Sequence, residues 1–178
     1  MKKIGLFVVM IFVTILIYSQ DSNRAAVKYF FEQPFQSNIL LPNIYYEYKN
    51  YDDLYSIIGT PLEITKLNAP QSYSMGEHTY ELKYENYSIG IIYSESKDVI
   101  YIFFIWITLN ENIDYTYNIR KDDTLTKIEE IFGKADYVSD LKNGILEYHY
   151  SYDNFGFGQL NIQLDNGMLR SMILWHWD

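Results

Sequence analysis

Two stretches of the chain place apolar residues at helical spacing between a capping residue and a glycine. One is Asn50-Tyr51-x-x-Leu54-x-x-Ile57-Ile58-Gly59, and the other is Thr124-Leu125-x-x-Ile128-x-x-Ile131-Phe132-Gly133. A polar cap, apolar positions three and four apart and a closing glycine specify a short helix. The pattern therefore predicts helices over Tyr51 to Ile58 and Leu125 to Phe132. Asp52 and Asp53 fall in a first turn, where the helix dipole favours negative charge. A further helix is expected over Asn23 to Glu32, with Val27, Phe30 and Phe31 on its apolar side. Pro34 ends it, because the residue before a proline avoids helical geometry.

After each of the paired helices the period changes to two. Tyr80, Leu82 and Tyr84 alternate with Glu81, Lys83 and Glu85, and Tyr87 to Tyr93 follows as a hairpin partner. Leu146, Tyr148, Tyr150 and Tyr152 alternate with Glu147, His149 and Ser151. Leu160, Ile162 and Leu164 run into Asp165-Asn166-Gly167, a hairpin turn, and a last strand runs from Met168 to Trp177. Ile113 to Ile119 reads as one more strand, and Pro70 to Gly76 as an open loop. The order of helix and then strands occurs twice. The expected fold is α+β: two helix-plus-antiparallel-meander units in tandem, with short helices packed on one face of the sheet. Residues 50–119 would be unit one and 120–178 unit two, after a leader at 1–19 and a lead-in at 20–49.

Val99 to Leu109 breaks the alternation, since both of its rows are apolar. One row is Tyr101, Phe103, Ile105 and Ile107, and the other is Ile100, Ile102, Phe104 and Trp106. One row faces the helices. The other needs a cover: the N-terminal helix, the other unit, a dimer mate or a ligand. Setting Trp106 against Trp175 aligns Tyr101, Phe103 and Ile105 with Arg170, Met172 and Leu174. Arg170 is poorly suited to a core, so the Tyr101 row is expected on the open face. A one-residue shift would reverse the assignment.

The chain starts Met1-Lys2-Lys3 and continues without a charge from Ile4 to Tyr18. A basic start before an apolar run marks an export signal. The run is shorter than the roughly 20 residues of a membrane span. Cleavage after Ser19 or Gln20 is expected, with retention as an N-terminal anchor as the alternative. Either way the remainder lies outside the cytoplasm, periplasmic or extracellular. With no cysteine anywhere, disulfides and a lipid-bearing cysteine are excluded. The net charge of −9 argues against nucleic acid, whose phosphates need a basic patch. Loss of Lys2 and Lys3 with the leader makes the balance more acidic still. Nineteen tyrosines, ten phenylalanines and three tryptophans suit a chain rich in strands.

Unit two carries Ile119-Arg120-Lys121-Asp122-Asp123-Thr124, then Ile128-x-x-Ile131-Phe132-Gly133-Lys134-Ala135-Asp136, a tyrosine-rich strand, and Leu160-x-Ile162-x-Leu164-x-Asn166-Gly167. In this it resembles the beta-lactamase-inhibitor-protein-like fold, including small outer-membrane-assembly lipoproteins of the SmpA/OmlA kind. The resemblance covers Asn50 to Trp177 in outline. It implies a helix followed by an antiparallel meander, and protein binding on the sheet face away from the helices. The chain departs from the pattern at Asp122, at Ala135 and in lacking the lipid-bearing cysteine, so neither target nor inhibitory residues carry over.

Catalytic patterns are missing. His78, His149 and His176 lack metal-ligand spacing, and no cysteine completes a zinc site. Gly156 and Gly158 lie between strands, the wrong setting for a phosphate loop. Glu147 and His149 share one strand face and read as a polar row toward solvent, or as a weak metal or acid–base pair if His176 comes near. The expectation is a non-catalytic protein-binding module of the bacterial cell envelope, without cofactor. Its partner would be another envelope or secreted protein, or a second copy. The binding set is Tyr101, Phe103, Glu147, His149, Arg170 and His176 on the sheet, with Phe155 and Phe157 at the glycine-rich tip. A lipid or small-molecule carrier and an uncharacterised envelope enzyme are the alternatives.

Overall fold

The structure is a computed structural model of the chain, and it describes residues 23–36, 47–67, 78–152 and 158–176. Helix α1 covers residues 23–32. Then follow β1 (Glu47–Tyr48), α2 (Tyr51–Ile58), β2 (Glu63–Leu67), β3 (His78–Lys83), β4 (Tyr87–Ser94) and β5 (Val99–Thr108). A 3-10 turn at Thr116–Asn118 precedes α3 (Leu125–Phe132), β6 (Tyr137–Asp140), β7 (Ile145–Ser151), β8 (Gly158–Asp165) and β9 (Met168–His176). The fold is α+β. Among the described residues, nine strands form one antiparallel sheet in the order β2-β3-β4-β5-β9-β8-β7-β6, with β1 paired to the start of β5.

The helices form where the caps dictate. Asn50 accepts a hydrogen bond from the Asp53 amide at 2.9 Å, and Gly59 closes α2 at φ +80°. Gly133 closes α3 at φ +75°. Thr124 holds the cap position of α3 but makes no side-chain cap bond. The turn before α3 is tied by Asp123, whose carboxylate accepts from the Arg120 amide at 2.7 Å and pairs with Lys127 at 2.8 Å. Thr124 itself bridges Met168, joining the helix start to the β8–β9 hairpin.

Val27, Phe30, Phe31, Leu54, Ile128 and Phe132 from the three helices share one core with Leu82, Ile89, Ile91, Ile162, Leu164, Met172 and Leu174 from the sheet. The helices therefore cover one sheet face. A second, smaller cluster of Ile92, Phe103, Phe104 and Ile173 lies on the other face.

The division of β5 between these faces differs from simple alternation. Gly90 pairs with Phe104 and Ile91 with Ile102, so Phe103 is an extra residue in the ladder. The bulge reverses the alternation midway. Ile100, Ile102, Ile105 and Ile107 all join the helix-side core, whereas Phe103 and Phe104 go to the opposite face. The expected Tyr101 row is thus split. Tyr101 and Phe103 lie away from the helices, but Ile105 and Ile107 do not. Gly90 makes this fit, because a Cβ there would collide with the Phe104 ring.

Residues 113–119 do not form the expected strand. Tyr117 and Asn118 have positive φ, 61° and 53°, which no ladder accommodates. Side-chain anchors explain the turn. The buried Tyr115 hydroxyl donates to the Thr108 carbonyl and accepts from the Asn110 amide. The Thr116 hydroxyl donates to the Gln33 carbonyl, and its amide to that of Pro34. The segment is a latch that seats the end of α1. Three strands, β1, β2 and β6, are not among those expected. The glycine-rich tip with Phe155 and Phe157, the Pro70–Gly76 loop and the leader lie outside the described residues.

Replacing Gly90 by alanine should destabilise the protein by roughly 1–3 kcal/mol, the cost of overpacking a fitted site. Gly90→Ala combined with Phe104→Leu should recover part of the loss in a denaturant titration. An unchanged midpoint for Gly90→Ala would mean that Phe104 does not rest on Gly90.

Candidate functional site

The sheet face away from the helices has an aromatic half and a polar half, which meet on β9. On the aromatic half, Phe103 and Phe104 meet edge-on at 4.8 Å between centroids, and Phe104 lies 5.2 Å from Trp175. Leu67 and Tyr101 flank them. The Lys97 ammonium stands 5.6 Å above the Tyr101 ring and donates to its hydroxyl at 3.3 Å. Trp106 pairs with Ser88 on one side and Ile173 on the other, near the middle of the sheet. It remains 38% exposed.

The polar half comes from alternate positions of β6, β7, β8 and β9, and its groups are bonded in sequence. Ser171 donates to Gln163 at 2.8 Å, and Gln163 donates to Glu147 at 2.7 Å. Asn161 donates to the other Glu147 oxygen at 3.3 Å. That bond turns the Asn161 carbonyl oxygen toward His149 Nδ1, at 3.0 Å. Nδ1 therefore carries the ring proton, and Nε2 accepts from the Ser139 hydroxyl at 3.0 Å. Tyr137 stacks on the imidazole at 3.9 Å and 12°. All five residues from Glu147 to Ser171 in this chain of bonds are buried. Glu147 and His149 share a face as their spacing predicts, but they form a sealed network and not a row open to solvent.

Burial pushes the His149 imidazole below its ordinary value, and the charge of Glu147 and the bond to Asn161 pull partly the other way. If protonated, Nε2 would have Glu147 at 3.3 Å as its acceptor. The pair could pass a proton, and the Ser139 hydroxyl, bonded to Nε2, is the nucleophilic group beside it. Among the described residues no cluster of three metal-ligating side chains occurs.

The other expected binding residues are scattered. Arg170 is the extra residue of a second bulge, between Gln163 and Leu164, and pairs with Asp165 at 3.5 Å at the sheet margin. His176 alternates with Trp175 and so falls on the helix-side row. It is not brought to His149. Trp106 was missed because strict alternation put it in the covered row. Its signal was Gly90: a lone glycine in a strand pattern marks a bulge. A cavity of about 540 Å³ opens elsewhere, among Asn110, Asp114, Tyr115, Arg120 and Lys121. Its lining is polar.

No protein-family model matches the chain, and no curated protein matches it. Among solved structures, a DUF4309 family protein (YjgB) from Bacillus subtilis is similar at 9% identity and a TM-score of 0.45. The match covers 90% of this chain and 99% of that one.

A histidine held neutral by burial adds stability above its unfolded value of 6.5, and that contribution is lost as pH falls below it. The melting temperature should therefore drop between about pH 7.5 and about pH 5.5, above the carboxylate range. His149→Gln should flatten that drop. A wild-type melt with no pH dependence across the window would show that His149 is not held neutral.

Proposed function

We propose that this chain is an exported, non-catalytic binding module of the cell envelope that grips another protein through the sheet face away from its helices. The carrying observation is Trp106, partly exposed near the middle of that face and flanked by Phe104, Ile173 and Trp175. Tryptophan is the side chain most often found to anchor protein interfaces, because it buries a large area at small entropic cost. The ladders on both sides hold it in place before any partner arrives, which reduces the cost of association. Tyr101 and Phe103 extend the aromatic area, while Glu147 and His149 support the polar half from beneath.

Two related units in tandem are part of the same reading. After α2 come β2 to β5, and after α3 come β6 to β9, and the two sets run outward from the β5–β9 pairing in mirrored order. A helix and four antiparallel strands in each set support duplication. The basic, then apolar, leader supports export.

Trp106→Ala together with Tyr101→Ala should abolish cross-linking to envelope proteins in the native cell, and leave the circular-dichroism melt nearly unchanged. Undiminished cross-linking by the folded double variant would move the interface to another surface. An altered melt would mean that Trp106 serves the fold.

A further inference from the structure

The sheet ends on β6. Among the described residues no strand pairs with its outer side. The Leu141 amide donates to the Ile145 carbonyl, and Ser139 and Tyr137 are in register with Glu147 and His149. The main-chain groups of 137, 139 and 141 therefore turn inward to β7, and those of Val138 and Asp140 turn outward. Tyr137, Val138 and Leu141 are 49%, 51% and 44% exposed. Proteins blunt such edges by keeping them short, or with charged residues, lysine above all, proline or a bulge. The opposite edge, β2, carries Lys66 and the Glu63–Lys83 ion pair. β6, reading Tyr-Val-Ser-Asp, is short and carries the charge of Asp140, but it has neither lysine nor proline.

We propose that β6 pairs antiparallel with β6 of a second copy of this chain, about a two-fold axis through Ser139. Only outward-facing residues can exchange hydrogen bonds, so three symmetric registers are open. Centring on Asp140 sets two aspartates face to face. Centring on Val138 sets Asp140 against Asp136 of the second copy. Like charges directly opposed are unfavourable in both. Centring on Ser139 places Val138 against Asp140 of the second copy, with the two main chains bonded there. The same register lays Tyr137 on Leu141 and brings Asp136 near Lys142, charges of opposite sign. Tyr137 and Leu141 of the two copies thus cover one another, and an isologous dimer closes without leaving β6 free. The pairing lies at the margin of the sheet and is independent of any role for Trp106.

Analytical ultracentrifugation of the purified protein should show a dimer that dissociates on dilution, and Val138→Asp, which would face Asp140 of the second copy, should shift it to monomer. The chain has no cysteine, so one engineered thiol reports the register. At a non-bonded antiparallel pair the Cα atoms lie about 4.5 Å apart. A disulfide spans about 4.4–6.8 Å. Ser139→Cys should therefore cross-link to a dimer with oxidised glutathione, and Val138→Cys, facing an aspartate, should do so far more slowly. If Ser139→Cys disturbs His149 and misfolds, the wild type against Val138→Asp decides the matter. A wild-type monomer up to about 0.5 mM overturns the proposal. So does a dimer unaffected by Val138→Asp, a faster cross-link through Val138→Cys, or open-ended filaments from β6 joining β2.

Discussion

β5 lies in the interior of the sheet and must be covered on both faces, and most of the architecture follows from how it divides its side chains. Four isoleucines go under the helices, and two phenylalanines go to the other face. Strict alternation cannot produce that division. The extra residue at Phe103 does, and it needs a neighbour without a side chain at Gly90. Because period-two register moves whole rows at once, the bulge also decides the fate of Trp106. Without it, Trp106 would turn into the helix-side core and an isoleucine would take its place.

What could be read from the sequence was what local chemistry controls. The bounds of α2 and α3 follow from Asn50, Gly59 and Gly133, where caps act within a few residues. The β8–β9 hairpin follows from Asn166 and Gly167, both at positive φ. The rest depends on contacts distant in sequence. Residues 113–119 look like a strand, yet Tyr115 and Thr116 find their partners at Thr108, Gln33 and Pro34. β2 and β6 were invisible because short edge strands bury little and so show no clean alternation.

The polar face misled for a related reason. Asn161, Gln163 and Ser171 alternate with Leu160, Ile162 and Met172, and such a pattern ordinarily means one wet face. Here the polar groups satisfy each other and are buried. Nothing in the identities of single residues distinguishes the two cases. The distinction lies in cross-strand register, which brings an acceptor-only carboxylate between two amides and an imidazole.

A buried carboxylate bonded to amides seldom adds net stability over an apolar replacement of equal shape. Its effect is on selectivity among alternatives. Sliding β7 by two residues against β8 would keep every apolar side chain on its proper face. It would also remove Gln163 and Asn161 from Glu147 and leave a buried charge unmatched. The hydrophobic pattern is blind to that slip, whereas the hydrogen-bond chain is not. The network thus fixes the stagger of the polar half, as the Phe103 bulge fixes that of the aromatic half. Between them the two devices determine which side chains stand beside Trp106 on the sheet.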